Sequence, residues 1–181
     1  ATLTCVLEET QINGTASSQG IEFEYLWTTI DGTIVSGGTS NQPTVNDPGT
    51  YNLLVTNTNN GCTQTASIVV PEDVVLPVAN AGPSVGLDCD TQTNALDGNG
   101  SSQGANFVYT WTTNGGQIIS GANTLTPQIG DPGPYTLTVE NTVNGCVTVS
   151  NVTVTEDVVL PSFVIGPPQL LTCVTTSTVL Q

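Results

Sequence analysis

Aromatic residues occupy every second position in Phe107-Val108-Tyr109-Thr110-Trp111-Thr112-Thr113, and Phe23, Tyr25 and Trp27 repeat that spacing near the start of the chain. Period-two alternation carried by aromatic and β-branched residues predicts half-buried strands. Gln117-Ile118-Ile119 predicts a short strand between glycine-rich turns, followed by an extended stretch containing Pro127. Asp131-Pro132-Gly133 reads as a turn. It feeds Tyr135-Thr136-Leu137-Thr138-Val139, which alternates again. Asn144-Gly145 is a strong hairpin signal, and the return strand runs from Cys146 through Val154. Its alternation slips between Val149 and Val152, which predicts a bulge. No segment carries a helical period of useful length. Many short strands with regular turns predict an all-β sandwich. Tyr51 and Tyr135, each just after a Pro-Gly turn, stand where a Greek-key sandwich has its tyrosine corner.

The same pattern occurs twice and begins a third time. Leu3-Thr4-Cys5, Leu87-Asp88-Cys89 and Leu171-Thr172-Cys173 lie 84 residues apart. Trp27 maps on Trp111, Pro43 on Pro127, Tyr51 on Tyr135, Cys62 on Cys146 and Pro77 on Pro161 at that offset. A register this strict implies tandem copies of one folded unit. The expected division is 1–76 (a repeat missing its N-terminal part), 77–160 (a full repeat) and 161–181 (the start of a third), as in a window on a longer array.

Composition narrows the function. Among 181 residues there is no Lys, Arg, His or Met, and 15 acidic side chains set the formal charge at −15. No salt bridge between side chains can form. Phosphate neutralisation on nucleic acid is excluded, because it needs cations on the protein, and docking on an anionic membrane is disfavoured. Trypsin-like proteases find no cleavage site, and methionine oxidation cannot occur. These absences together suit a harsh exterior. No apolar run approaches the ~20 residues of a membrane span.

Five cysteines fall as two per repeat plus one. Disulfides would place the chain in an oxidising compartment, outside the cytosol. Two registers are open: Cys5–Cys62 with Cys89–Cys146 inside each repeat, or Cys62–Cys89 with Cys146–Cys173 between repeats. An intra-repeat loop would contribute about 4 kcal/mol of chain-entropy stabilisation. A zinc site is a poor fit, since there is no CxxC and no His.

Val78-Ala79-Asn80-Ala81-Gly82-Pro83, Ala95-Leu96-Asp97-Gly98-Asn99-Gly100-Ser101-Ser102, Tyr109-Thr110-Trp111 and Gly133-Pro134-Tyr135-Thr136-Leu137-Thr138-Val139 resemble PKD-type immunoglobulin-like domains. With Asn-Gly-Cys after the penultimate strand, the chain is similar to tandem repeats of large cell-surface proteins of Bacteroidota, including gliding-associated adhesins. The resemblance spans essentially the whole chain. It implies tandem immunoglobulin-like Greek-key sandwiches serving as spacers, stalks or adhesive modules. Its strand order sets Cys89 beside the last strand, which starts at Cys146, and so implies the intra-repeat pairing, with Cys173 bonded to a residue outside the chain. The first repeat has Asn13-Gly14 where the second has Asp97-Gly98, so any role of that aspartate is expected not to recur.

Catalysis is not expected. With no His or Lys, a Ser or Thr nucleophile lacks an activating base. Glu22 and Glu24 do not recur as acids in the second repeat, which argues against a glycosidase carboxylate pair. Calcium is the one cofactor worth weighing, because carboxylate and carbonyl oxygens suit it. Its candidate ligands are the repeated pairs Glu72-Asp73 and Glu156-Asp157, at the expected junctions. Asn13, Asn99 and Asn151 fit the N-glycosylation acceptor.

The expected role is a non-catalytic array forming the shaft of an extracellular adhesin or cell-surface filament. Its expected partners are neighbouring repeats, like chains in a filament, and surface glycans or other cells, without nucleic acid or membrane insertion. One rival is a carbohydrate-binding or spacer module of a secreted hydrolase, which requires an exposed aromatic platform. Another is a fibre subunit that donates its terminal strand, Pro168 to Gln181, to a neighbour.

Overall fold

The computed structural model describes residues 1–164 and Gly166. Strands of the first repeat are β1 (Leu3–Thr4), β2 (Thr10–Gln11), β3 (Phe23–Thr29), β4 (Ile34–Ser36), β5 (Thr44–Val45), β6 (Gly49–Asn57), β7 (Thr63–Val70) and β8 (Glu72–Asp73). Those of the second are β9 (Gly86–Asp88), β10 (Asn94–Ala95), β11 (Phe107–Thr113), β12 (Ile118–Ser120), β13 (Gln128–Ile129), β14 (Gly133–Asn141) and β15 (Cys146–Asp157). The fold is an all-β immunoglobulin-like sandwich, twice over, with no helix among the described residues. In the second repeat one sheet has the order β11-β14-β15-β9 and the facing sheet β10-β13-β12. The first repeat has β3-β6-β7 and β2-β5-β4, with β1 on β8. Pro71 offers no N–H to the ladder and separates β7 from β8, whereas Thr155 at the matching place in β15 donates to Val85.

Alternation on the strands builds each core. Tyr135, Leu137 and Val139 point inward from β14 and are fully buried, joined by Trp111, Leu96, Ile129, Leu87, Val152 and Val154. The first repeat buries Tyr51, Leu53, Trp27, Ile12, Val45, Leu3 and Val70. Neither tryptophan forms an exposed platform. Trp27 donates its indole N–H to Ser40 O and Trp111 donates to Thr124 O, both at 2.9 Å.

The expected bulge between Val149 and Val152 is absent. β15 pairs β14 without a break from Cys146 to Val154. Thr148 and Ser150 take the inward positions, while Val147 and Val149 face solvent. Ser150 is inward because its hydroxyl accepts the Ala81 N–H at 3.1 Å. Polar residues at inward positions made a regular strand look irregular. The expectation about Asp97 also fails. Its carboxylate accepts the Asn99 amide at 3.0 Å, and Asn13 accepts the Thr15 amide at 3.0 Å in the same turn. The turn needs only a side-chain oxygen, which Asn and Asp share.

Both tyrosine corners form. The Tyr135 hydroxyl donates to Asp131 O at 2.6 Å and accepts the Gln117 N–H at 3.0 Å. Tyr51 does the same with Asp47 O and Thr33 N–H. A Cβ at Gly116 would collide with the Tyr135 hydroxyl, so this turn requires glycine. Burial pushes the Tyr135 phenol above its ordinary value of 10.0, assisted by the Asp131 charge and opposed by the Gln117 backbone. The phenol's contribution to stability is therefore complete below pH ~10 and is lost as pH rises through the folded-state value. Tyr135→Phe is expected to cost about 1–3 kcal/mol at neutral pH, by orphaning buried backbone groups. It should also flatten the loss of stability above pH ~10. Urea titrations of both proteins across neutral and alkaline pH check this, and parallel pH profiles would refute it.

Candidate functional site: the junction between repeats

A disulfide joins Cys5 to Cys146, with Cα atoms 5.1 Å apart and a sequence separation of 141. Cys62 and Cys89 are exposed and unbonded among the described residues. Cys173 lies outside those residues. The intra-repeat pairing expected above, Cys5–Cys62 and Cys89–Cys146, is thus replaced by a bond between repeats in a third register. Strand direction is the reason. β9 runs parallel to β15 and pairs only with its far end, where Asp88 faces Asp157. Cys146 starts that strand, so Cys89 and Cys146 lie at opposite ends of it, roughly 35 Å apart at ~3.3 Å per residue. A disulfide needs Cα atoms within about 7 Å. β1 lies parallel to β8 in the same way, which separates Cys5 from Cys62. Each repeat thus carries one cysteine at each end, and the tail of the first repeat meets the head of the second.

The β14–β15 hairpin forms the head. Gly145 at its tip has φ +69°, a left-handed conformation suited to glycine. A Cβ there would also lie 2.5 Å from a Val6 methyl. Asn144 is almost wholly buried. Its side-chain amide donates to Asp73 Oδ1 at 2.9 Å and to Val75 O at 3.0 Å, while its own oxygen accepts the Cys146 N–H at 3.0 Å. One asparagine therefore fastens the hairpin to the tail of the preceding repeat, and its buried polar atoms are paired. Asn144→Asp places a carboxylate against the Asp73 carboxylate, with no side-chain cation in the chain to offset it. The expected result is an intact fold for each repeat with a loosened junction. Residual dipolar couplings, fitted separately for each repeat, should then give different alignment tensors near neutral pH and a common one in the parent.

The four candidate calcium ligands lie on paired strands at the ends of the two repeats. Glu72 and Asp73 extend the first repeat by pairing with Leu3 and Thr4, and the Asp73 carboxylate serves Asn144 and the Val75 N–H. Glu156 and Asp157 pair with Leu87 and Asp88. No group of three or more acidic or sulfur side chains able to hold a metal occurs among the described residues. Asn13, Asn99 and Asn151 are all exposed. Asn13 and Asn99 lie in equivalent turns, and Asn151 accepts the Thr136 hydroxyl on the outer face of its sheet. Asn144 is the functional residue that the sequence reading used only as a turn signal. Its recurrence as Asn60 ahead of Gly61-Cys62, together with the recurrence of Asp73 as Asp157, was the available clue.

No protein-family model matches the chain, and no curated protein matches it in sequence. Among solved structures, a PKD domain from the KIAA 1837 protein is similar at 28% identity, over 47% of this chain and 91% of that one, with a TM-score of 0.36. The three N-terminal domains of the bacteriophage RB49 highly immunogenic outer capsid protein align at 15% identity over 86% of this chain and 55% of that one, with a TM-score of 0.46. Extracellular domains 3–5 of Drosophila OTK align at 12% identity over 86% of this chain and 58% of that one, with a TM-score of 0.35.

Proposed function

We propose that the chain is a non-catalytic, tension-carrying segment of a repeat array, forming the shaft of an extracellular adhesin or cell-surface filament. The bond between Cys5 and Cys146 carries this reading. It ties two repeats covalently, and the disulfide fits an oxidising compartment. A pull along the array enters at Cys5, crosses to Cys146 and leaves along β15, so the residues between bear little of it. β15 is flanked by β14 on one side and β9 on the other. Tension therefore runs along a strand that is already extended, while its neighbours on both sides lie in the bypassed residues and are spared the load. The absence of Lys and Arg denies trypsin-like proteases a site. A carbohydrate-binding role has little support here, because both tryptophans are core residues whose indole N–H groups are used internally. The test is to pull single chains by their ends, oxidised and reduced. Equal lengthening in the two states would defeat the proposal.

A further inference from the structure

Asn-Gly is the dipeptide most prone to lose its side-chain amide, because a glycine, lacking a Cβ, leaves its backbone nitrogen free to reach the neighbouring Cγ. It occurs at Asn13, Asn60, Asn99, Asn114 and Asn144. The first four asparagines are exposed. Asn144 is 1% exposed, and it is the one that the junction holds.

Several contacts oppose the reaction at Asn144. Attack requires the side chain to swing its Cγ onto the Gly145 nitrogen. That side chain is fixed instead by its bonds to Asp73 Oδ1, Val75 O and the Cys146 N–H. The Gly145 nitrogen itself donates to Asn141 O at 2.7 Å. The Asp73 carboxylate, 2.9 Å from the amide nitrogen, repels the anionic intermediate that attack would create. Only part of this protection is local to the hairpin. Asn60 makes the same turn: its oxygen accepts the Cys62 N–H at 2.9 Å, and the Gly61 N–H donates to Asn57 O at 2.7 Å. Gly61 has φ +71° and Gly145 φ +69°. What sets Asn144 apart is the clasp on its amide nitrogen, and both acceptors of that clasp lie beyond its own hairpin, on Asp73 and Val75.

We propose that Asn144 is a self-modification site gated by the junction, and that its conversion fixes the junction open. When the repeats part, the Asn144 side chain is released. The Gly145 nitrogen bonds to Asn144 Cγ, the Cγ–Nδ2 bond breaks, and ammonia leaves with the proton that the Gly145 nitrogen gives up. Water then opens the five-membered imide at either carbonyl. One opening gives aspartate. The other gives isoaspartate, which also lengthens the backbone by one methylene. Both put a carboxylate where the amide donor stood. It offers Asp73 no hydrogen bond and a like charge, and the chain has no side-chain cation to offset the pair, so reburial is costly. The Cys5–Cys146 bond thereby gains a second role: by holding the two repeats together it keeps the amide from reacting. The inference needs only the closed joint and no load on the array.

The experiment compares the 181-residue parent with Asp73→Ala, each oxidised and reduced, in warm, mildly alkaline buffer. Circular dichroism checks that the repeats stay folded. Samples are cut with pepsin, whose acid conditions halt the reaction, and the acid forms of each Asn-Gly peptide are measured by mass spectrometry. In the oxidised parent Asn144 is expected to convert at least about tenfold more slowly than Asn60, because two hydrogen bonds, one of them to a carboxylate, must open first. Reduced Asp73→Ala should bring Asn144 to within about twofold of Asn60, with Asn99 and Asn114 unchanged. An Asn144 that converts as fast as Asn60 in the oxidised parent would overturn the proposal. So would an Asn144 that stays slow in reduced Asp73→Ala, because the protection would then belong to the hairpin and not to the junction. Asn144→Asp is the aspartate product itself, and a common alignment tensor for its two repeats would overturn the lock. None of these outcomes bears on the pulling test.

Discussion

Pulled by its ends, the oxidised chain is expected to gain almost no length as its repeats yield, whereas the reduced chain gains about 500 Å. The difference is geometric. Cys5 and Cys146 are 141 residues apart in sequence and 5.1 Å apart in space. At ~3.3–3.6 Å per extended residue, breaking that one bond exposes nearly the whole two-repeat length to tension. The reduced trace should show two steps of about 250 Å, one per repeat. The oxidised trace should show no repeat-sized step, because β15, the part of the second repeat on the tension path, is already extended. Cys146→Ser should behave like the reduced chain in either buffer, and this separates loss of the bond from other effects of reductant. Two full-length steps in the oxidised parent would mean that the bond is not on the tension path.

The second large effect is expected for Trp111→Ala. Trp111 is 2% exposed in the second core and also holds the Thr124 carbonyl. Truncation leaves a large cavity and one unpaired carbonyl, and is expected to cost about 3–5 kcal/mol. Against a domain stability of roughly 5–15 kcal/mol, that brings the second repeat close to unfolding. The first repeat keeps its own core and its own Trp27, which becomes the lone indole of the variant. Urea unfolding should therefore split. Circular dichroism should show an early transition, with Trp27 fluorescence changing later. If Trp27 moves with the early transition, the two repeats unfold as one unit. The disulfide adds to the contrast. When one repeat unfolds and the other stays folded, the bond closes a loop of roughly 70 residues in the unfolded one, worth about 4 kcal/mol. Reduction should bring the early transition to still lower urea.

The strands were legible because their physics is local. Phe107, Tyr109 and Trp111 alternate, and the side chains of a strand alternate in space for the same reason. The tyrosine corners were legible too, since a Pro-Gly turn followed by an inward tyrosine leaves its hydroxyl few partners but the upstream backbone. The false bulge at Val149 shows the limit of this reasoning. Polarity is a proxy for direction, and Ser150 faces inward because a distant backbone amide, Ala81 N–H, meets it there.

The cysteine pairing lay outside what a pattern along the chain can settle. By itself the sequence determined that there are two matching sandwiches at an 84-residue offset, that each bears two thiols, and that no side-chain salt bridge holds them together. Which thiols meet depended on strand direction: parallel pairing of β9 with β15 puts Cys89 and Cys146 at opposite ends of one sandwich. Only the tertiary structure, by setting one repeat's tail against the next repeat's head, brought Cys5 to Cys146 and turned the Asn144 of a hairpin signal into the pin of the joint. A disulfide and a buried amide act over a few ångströms, and proximity on that scale between residues 141 apart is a property of packing.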